Sequence, residues 1–288
     1  MANKYHVRSN SFPSASHPNA IRVEEDLSKI KAWEATSTSK SIGSGLSLLE
    51  DLFISLEDLL NMASIQKAIS QHQGEKSMEE LLDASVTILD ICGITRDTMS
   101  QIKENVQALH SVLRRRKGDS SIEKSVAEYI FLSKKVKKNA KKLITSLKKM
   151  DAKFGASPIL NQDHQLSAVI RVLREVIAMS MSTFQSLLSF LAVPASKSKT
   201  YKWLVVAKLM HKGVIACEQN KENVNEFHCV EASLSTLLCE TANSAKVKVA
   251  HENLEALENA IESLENDLER VFRHLVKTRA SLLNMMTL

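Results

Sequence analysis

The sequence predicts an all-α protein, an elongated antiparallel helical bundle, from three observations. Glycine and proline are scarce, with 7 and 4 occurrences in 288 residues, and only 5% of the residues are aromatic. Few turn formers and few strand formers indicate long helices. Hydrophobic residues make up 44% of the chain, which is enough for a substantial core. The third observation is a long apolar repeat near the C-terminus.

This repeat runs from Val247 to Leu275, and its apolar residues recur every three or four positions without interruption. Such spacing keeps one apolar seam facing a neighbouring helix over several heptads. Because other amphipathic helices of the same chain are available to cover the seam, we expect it inside the bundle, with Leu257 and Leu264 almost fully buried. The seam comprises Val247, Ala250, Leu254, Leu257, Ile261, Leu264, Leu268, Val271 and Leu275.

The N-terminal segment differs in composition from the rest of the chain. Residues 1–19 are rich in Ser, Asn, Pro and His and show no apolar period, so they are predicted to be a disordered tail. Residues 20–288 are periodic almost throughout and are predicted to form one helical domain. Short connections between its helices favour antiparallel neighbours.

Capping boxes, glycines and prolines mark the helix boundaries of this domain. Three Ser-x-x-Glu patterns, at 47–50, 77–80 and 120–123, are interpreted as helix starts. Gly43 and Gly45 are expected to precede the first of them, after a Ser/Thr-rich linker at 36–41. The predicted helices span 20–35, 47–69, 77–116, 120–154, 158–191, 201–217 and 224–240, and the seam helix ends at about 285.

One apolar stretch, from Ile177 to Val193, is long enough to raise the question of a membrane span. Six Ser, Thr and Gln residues interrupt it, and hydrocarbon tolerates such residues poorly without partners. We interpret it as a buried helix of the bundle. The chain opens without a secretory signal pattern, and Ala2 occupies the position where N-myristoylation needs glycine.

Cysteine and histidine spacing argues for an intracellular protein without a metal centre. The 4 cysteines form no CxxC pair, which favours a reducing compartment, with the cytoplasm expected first and nuclear or membrane-peripheral locations left open. His211, Cys217, His228, Cys229 and Cys239 are ligand types, but their spacing fits no closed zinc pattern. We therefore predict no metal site and no cofactor, and interpret these residues as buried cysteines and surface histidines.

A lysine-rich segment is the most prominent candidate binding surface. Its apolar residues, such as Val136, Ala140 and Leu147, share one helix face, so the segment is strongly amphipathic. Such a basic face can attract anionic lipid, an acidic partner or nucleic acid, and it can equally be a solvated outer face. The candidate lysines are Lys134, Lys135, Lys137, Lys138, Lys141, Lys142, Lys148 and Lys149.

Two acidic rows are available to neutralise this face within the molecule. Asp83, Asp90 and Asp97 recur every seventh residue and Glu104 extends the row, on the helix expected to pack antiparallel to the lysine helix. A second ridge of glutamates flanks the apolar seam, at 252, 255, 258, 262, 265 and 269. Paired carboxylates serve as general acid and base only with a pocket and a nucleophile, which the pattern does not indicate, so both rows are interpreted as structural.

No catalytic residues are predicted. The sequence has no glycine-rich phosphate loop, metalloprotease helix or nucleophile elbow. The formal charge of +5 is modest for the length and does not argue for specific nucleic-acid binding. A basic run at 114–117 matches a short nuclear-localisation or phosphate patch, but cations at a helix C-terminus also complement the helix dipole, and we prefer that interpretation.

The tail carries a candidate phosphorylation motif. Arg8 lies three residues before Ser11 and next to Ser9, and Pro13 follows two residues later. This R-S-x-S-x-P pattern is one that phosphoserine-binding adaptors of the 14-3-3 type capture with arginine clusters. Phosphorylated Ser11 would place a near-dianion in an accessible segment, and Pro13 would redirect the chain.

Several longer motifs carry a family resemblance that extends over most of the chain. The tail reads HVRSNSFPS at 6–14, and the domain contains LDICG at 89–93, VLRRRKGD at 112–119, SKKVKK at 133–138 and LVKTRASLLN at 275–284. Together they resemble a plant-specific family related to the BYPASS proteins, a domain of unknown function. The resemblance implies an all-helical plant protein without a catalytic residue set, in a group associated with root and shoot development.

The leading hypothesis is a non-enzymatic helical adaptor or regulator in plant development that contacts proteins through its helix faces and its tail. The rival hypothesis is a peripheral membrane protein that uses the lysine face. An enzyme of unrecognised type has the least support, because no motif indicates a reaction.

Overall fold

The computed structural model describes residues 17–36, 38–72, 76–115, 119–155, 164–192, 225–239 and 244–287. These residues form helices that pack against one another, and no strand occurs in the described ranges, so the all-α prediction is confirmed. In chain order the helices are α1 (Pro18–Ala32), α2 (Ser39–Leu60), α3 (Ala63–Ser70), α4 (Lys76–Arg114), α5 (Asp119–Gly155), α6 (His164–Ala192), α7 (Glu226–Cys239) and α8 (Ser244–Thr287).

Helices α4 and α8 form the long axis of the bundle. At 39 and 44 residues they are the longest elements described, and a rise of about 1.5 Å per residue makes each roughly 60 Å long. Their contacts run in opposite directions along the two chains, from Arg279 with Ser85 at one end to Glu258 with Gln107 towards the other. The pair is therefore antiparallel. Helices α2 and α7 also pack on α8, and α6 closes the core against α2, α4 and α5.

The apolar seam of α8 lies inside the bundle. Leu254, Leu257 and Leu268 have no exposed surface, and Leu264 is 1% exposed. Seam residues face α2 and α4, whose own apolar stripes complete the core. The prediction of internal burial for Leu257 and Leu264 is therefore confirmed.

Helix α6 is the only described helix that is long and apolar enough, by length and composition, to cross a membrane. Most of the stretch from Leu166 to Ala192 is buried against other helices, as the sequence interpretation expected. Its buried hydroxyls are satisfied within the helix, because Ser180 donates to the Val176 carbonyl at 2.8 Å and Thr183 to the Met179 carbonyl at 2.9 Å.

The predicted start of α2 is wrong by eight residues. The helix begins at Ser39, where Thr38 accepts a hydrogen bond from the Ser41 amide, and the Ser47 pattern lies in its interior. Gly43 and Gly45 are thus helical. Gly45 is required by a close approach, because a β-carbon there would lie 2.4 Å from the Trp33 ring. Ser/Thr-rich composition is typical of linkers and of N-caps alike, and here Thr38 of that stretch is the cap.

The predicted helix from 47 to 69 is in fact two helices. Helix α2 ends at Leu60, and Met62 has an extended backbone with φ −72° and ψ 129° before α3 begins at Ala63. The turn redirects the chain so that Ile65 and Ile69 are fully buried, with α3 packed on α6 and α8. Tertiary packing therefore overrides a helical periodicity that continues through the break.

Other boundaries differ by a few residues or lie outside the described ranges. Helix α1 begins at Pro18 rather than Ala20, because His17 accepts a hydrogen bond from the Asn19 amide and caps it. Helices α4 and α5 each begin one residue before the predicted serine. Residues 1–16, the junctions at 73–75, 116–118 and 156–163 and the predicted helix at 201–217 lie outside the described residues.

Candidate functional site

The lysine-rich helix is α5, which lies at the outside of the bundle. It packs on α6 and α4 and makes a smaller contact with α7. Val126, Val136 and Leu147 are buried on its inner side, and Leu143 is half-buried against the core. The helix is thus held by an apolar inner face, which leaves its lysines on the outside.

One of the eight candidate lysines is engaged inside the molecule. Lys137 is 16% exposed and its Nζ lies 2.5 Å from Glu231 Oε1 of α7, which also accepts a hydrogen bond from Ser133 at 2.7 Å. Lys137 therefore anchors α7 to α5 and does not belong to the free surface. The exposed members of the face are Lys134, Lys135, Lys138, Lys141, Lys142, Lys148 and Lys149, and none is ion-paired with a described residue.

Phe131 is a surface residue that the sequence interpretation missed. Its side chain is 73% exposed, the largest value among the exposed apolar residues of the described helices. It lies three, four and seven residues before Lys134, Lys135 and Lys138, and therefore on the same side of α5. The lysine face thus carries an aromatic group. A helical wheel that includes residue 131 places it on the same side as the lysines, so the sequence alone contains this signal.

Six of the seven exposed lysines of this face fall into two rows with seven-residue spacing, and Lys138 lies between the rows. Lys135, Lys142 and Lys149 form the row next to α4, because Lys149 and Ser146 line a shallow depression together with Asp83 and Thr87 of α4. The other row lies towards α7, since Lys134 and Lys141 are one turn before and after Lys137. We call these the α4-side row (Lys135, Lys142, Lys149) and the α7-side row (Lys134, Lys141, Lys148).

The acidic row of α4 does not neutralise these lysines through ion pairs. Asp83, Asp90, Asp97 and Glu104 are exposed, and none lies within 4.0 Å of a described lysine or arginine nitrogen. The sequence placed this row on the helix beside α5, and that adjacency is observed. Direct pairing of the two is not observed.

Unlike the acidic row of α4, the glutamate ridge of α8 is paired, because α4 supplies a partner at almost every turn. Glu265 accepts a hydrogen bond from Ser100 at 2.8 Å and lies 3.3 Å from the Lys103 ammonium. Glu258 accepts a hydrogen bond from Gln107 at 2.7 Å. Glu269 pairs with Arg96, whose guanidinium lies over the Phe272 ring. This ridge therefore fixes the register of α4 on α8 and is structural, as predicted.

A polar cleft opens between the C-terminal part of α4 and the N-terminal part of α8. Its centre is a pair of histidines, His110 and His251, whose ring centroids are 4.8 Å apart. Burial lowers the pKa of the His251 ring, and electrostatic interactions with His110 and Arg114 lower it further. His110 Nδ1 lies 3.7 Å from Glu258. With two arginines and two glutamates at its rim, the cleft has no net charge that selects one ligand class.

Nucleophilic and metal chemistry finds no support among the described residues. Burial raises the pKa of the Cys92 thiol to about 12, so it stays protonated at neutral pH and is not a thiolate nucleophile. No cluster of three or more His, Cys, Asp or Glu side chains in the described ranges has a geometry for a metal ion. His211, Cys217 and the side chain of Cys239 lie outside them.

Two further predicted motifs are only partly described or not described. The phosphorylation motif of Arg8, Ser9, Ser11 and Pro13 lies outside the described residues. Of the basic run at 114–117, Arg114 ends α4 and Arg115 follows it, both exposed at the rim of the histidine cleft. Their position at the helix C-terminus is the one that the dipole argument expects.

Comparison with protein-family models gives a match over most of the chain. The family model described as Protein BPS1 matches residues 45–285, which covers α2 from its first turns through almost all of α8. No curated protein and no solved structure matches the chain.

Proposed function

This chain belongs to the BPS1 protein family, and from that premise we propose that it is a non-enzymatic helical adaptor or regulator in plant root and shoot development. Family membership fits a protein related to plant development. The adaptor role is our interpretation of the surface. We expect the protein to act inside the cell, and the cytoplasm is the compartment that we favour.

The observation that supports an adaptor is the unequal use of charge in the bundle. The charged residues that border the α4–α8 contact are paired with each other. By contrast, the exposed lysines of α5 and the acidic row of α4 have no ion-pair partner among the described residues. Charges without an internal partner keep their capacity to select an external partner by complementarity. The outer faces of α4 and α5 are therefore the surfaces through which we expect partner proteins to bind.

Proximity labelling in plant cells tests the adaptor role. The wild-type chain should label a reproducible set of proteins, and a variant with the α4-side and α7-side rows reversed to glutamate should lose a defined subset. A control with a smaller change in charge reverses Lys246 and Lys248 of α8, which do not belong to the lysine face of α5, and should keep that subset. An identical labelled set for all three chains would contradict binding through α5.

A second candidate function is peripheral membrane binding, which Phe131 favours. A basic helix face with an exposed aromatic side chain resembles interfacial helices, in which lysines contact anionic headgroups and the ring enters the boundary region. Phe131, Lys134 and Lys138 share such a stripe. This reading places the lipid contact on the centre of α5 and on the α7-side row.

Vesicle flotation separates the two functions. Membrane binding predicts flotation with phosphatidylserine vesicles at low salt, loss at high salt, and no flotation with phosphatidylcholine alone. Phe131→Ser should reduce flotation, and reversal of the α7-side row should abolish it. Wild-type protein that stays in the soluble fraction with both vesicle types would reject this candidate and leave the adaptor role intact.

The tail supplies a separate, protein-directed prediction. A peptide spanning residues 5–17 should bind a 14-3-3 adaptor when Ser11 is phosphorylated, and lose binding on Arg8→Ala. Pro13→Ala should weaken binding through chain direction. Equal affinity of the phosphorylated and unmodified peptides by calorimetry would reject the motif.

A further inference from the structure

We propose that the outer face formed by α4 and α5 binds a second copy of this chain, with the acidic row of one copy against the α4-side lysine row of the other. The face comprises Asp83, Asp90 and Asp97 of α4 and Lys135, Lys142 and Lys149 of α5. This inference rests on charge, register and exposure, and does not depend on the proposed adaptor role.

The two rows share one register. Asp83 and Lys149 line the same depression between α4 and α5, so they lie at the same level along the bundle. Because α4 and α5 are antiparallel, seven residues forward on α4 correspond to seven residues backward on α5. Asp90 is therefore level with Lys142 and Asp97 with Lys135, at steps of about 10 Å. Opposite charges thus occur at three successive levels.

Neither row has an ion-pair partner among the residues that the structure describes. All six side chains are exposed, and none lies within 4.0 Å of an opposite charge on a described residue. By contrast, Lys137, on the same helix, is paired and mostly buried. Exposed opposite charges that remain unpaired are available to another molecule at little desolvation cost.

A two-fold axis parallel to the helices and between the two rows makes this face self-complementary. Such a rotation keeps the level along the bundle and exchanges left for right, so each acidic row comes to lie over a lysine row of the second copy. Asp83 then meets Lys149 of the second copy, and the other two levels follow. The pairing ends beyond Asp97, because Glu104 comes level with Glu128 by the same count.

Apolar groups on the same face add to the contact. Val86 and Ile94 of α4 are 37% and 45% exposed, and Phe131 of α5 is 73% exposed. The face measures roughly 30 Å by 20 Å, or about 600 Å² per copy, from helix dimensions. A total of about 1,200 Å² is at the lower end of specific interfaces, so we expect a weak, salt-sensitive dimer.

The acidic row decides between a second copy and a lipid surface for this side of α5. An anionic bilayer that contacted the α4-side row would approach Asp83, Asp90 and Asp97 as well, and these carboxylates would repel it. A second copy uses both rows. The α7-side row has no acidic counterpart on the α4 side and is not part of the proposed interface.

Sedimentation equilibrium of the full chain tests the dimer. At about 100 µM and low salt the wild type should approach twice the 32.1 kDa chain mass, and high salt should shift it towards the monomer. The acidic-row variant D83K/D90K/D97K and the lysine-row variant K135E/K142E/K149E should each dimerise roughly a hundredfold more weakly, since like charges then face each other.

Mixing the two reversed variants is the decisive measurement. One then carries only positive rows and the other only negative rows, so the mixture should form a one-to-one heterodimer although neither variant self-associates. K134E/K141E/K148E is the matched control, with the same change in charge on the other side of α5, and it should dimerise like the wild type. Circular dichroism should show unchanged helix content for every variant.

Three outcomes would overturn the proposal. The first is a monomeric wild type at about 100 µM in low salt, a concentration that suits a weak interface of this size. Another is a wild-type dimer whose dissociation constant is unchanged in both D83K/D90K/D97K and K135E/K142E/K149E. The third is a mixture of the two reversed variants that stays monomeric. A monomeric wild type that binds vesicles, together with loss of flotation in both K135E/K142E/K149E and K134E/K141E/K148E, would mean that the whole α5 face binds lipid instead.

Discussion

Helices α8 and α5 are both long, amphipathic and highly charged, but they differ in whether their charged side chains have partners on neighbouring helices. The glutamates of α8 meet Arg96, Lys103 and Gln107 across a neighbouring helix. Among the described lysine side chains of α5, Lys137 alone has an ion-pair partner, Glu231. Amphipathicity therefore indicates which face is buried, while the neighbouring helices decide whether the charged face is structural or free.

The largest effect is expected in the apolar seam. Leu264→Ala should lower the free energy of unfolding by about 2–5 kcal/mol, because the side chain is 1% exposed in a packed core. Leu283→Ala, on the same helix at 38% exposure, is the control and should cost less than about 1 kcal/mol. Urea denaturation measures both. Equal costs would mean that α8 does not distinguish its two faces.

The paired and free lysines of α5 give the next largest difference. Lys137→Ala should destabilise the protein by about 1–2 kcal/mol, because it removes a charge-assisted hydrogen bond and leaves Glu231 largely buried. Its exposed neighbour Lys138 is the control, and Lys138→Ala should change stability by less than about 0.5 kcal/mol. Similar losses in the two variants would remove the distinction between internal and free lysines.

A smaller, stabilising effect is expected on the inner face of α5. The Tyr129 hydroxyl is buried, and it makes no hydrogen bond with a described residue. Tyr129→Phe keeps the ring and removes the unpaired group, so stability should rise by up to about 1 kcal/mol. A loss of stability in thermal denaturation would show that the hydroxyl has a partner, and Phe184→Leu serves as a control for generic core changes.

The smallest effect is a pH dependence at the α4–α8 end. The pKa of His251 in the folded protein is below its ordinary value of 6.5, so the unfolded chain binds the proton more readily. The contribution of the neutral His251 ring to the free energy of unfolding is therefore present above about pH 6.5 and is lost as the pH falls below that value. His251→Gln should flatten this part of the stability curve. Parallel curves for the variant and the wild type between about pH 7.5 and 5 would contradict the assignment.

Local sequence patterns predicted the helical class and the seam because both depend on residues within one helix. They failed where a side chain far along the chain decides the local structure. Gly45 is helical because Trp33 packs on it, and α2 breaks after Leu60 because Ile65 and Ile69 fill space between α6 and α8. Phe131 is different, because its local spacing from Lys134 and Lys138 is enough to place it on the lysine side of α5.

The sequence by itself therefore determined an all-helical chain, an internal heptad seam and an α5 helix with one apolar and one basic side, since side chains three and four residues apart share a face wherever a helix forms. Only the tertiary structure decided which charges are used. Lys103 meets Glu265 across 162 residues and Lys137 meets Glu231 across 94, and no local period reports such pairs. Periodicity assigns a charge to a face, but its partner depends on which helix packs beside that face.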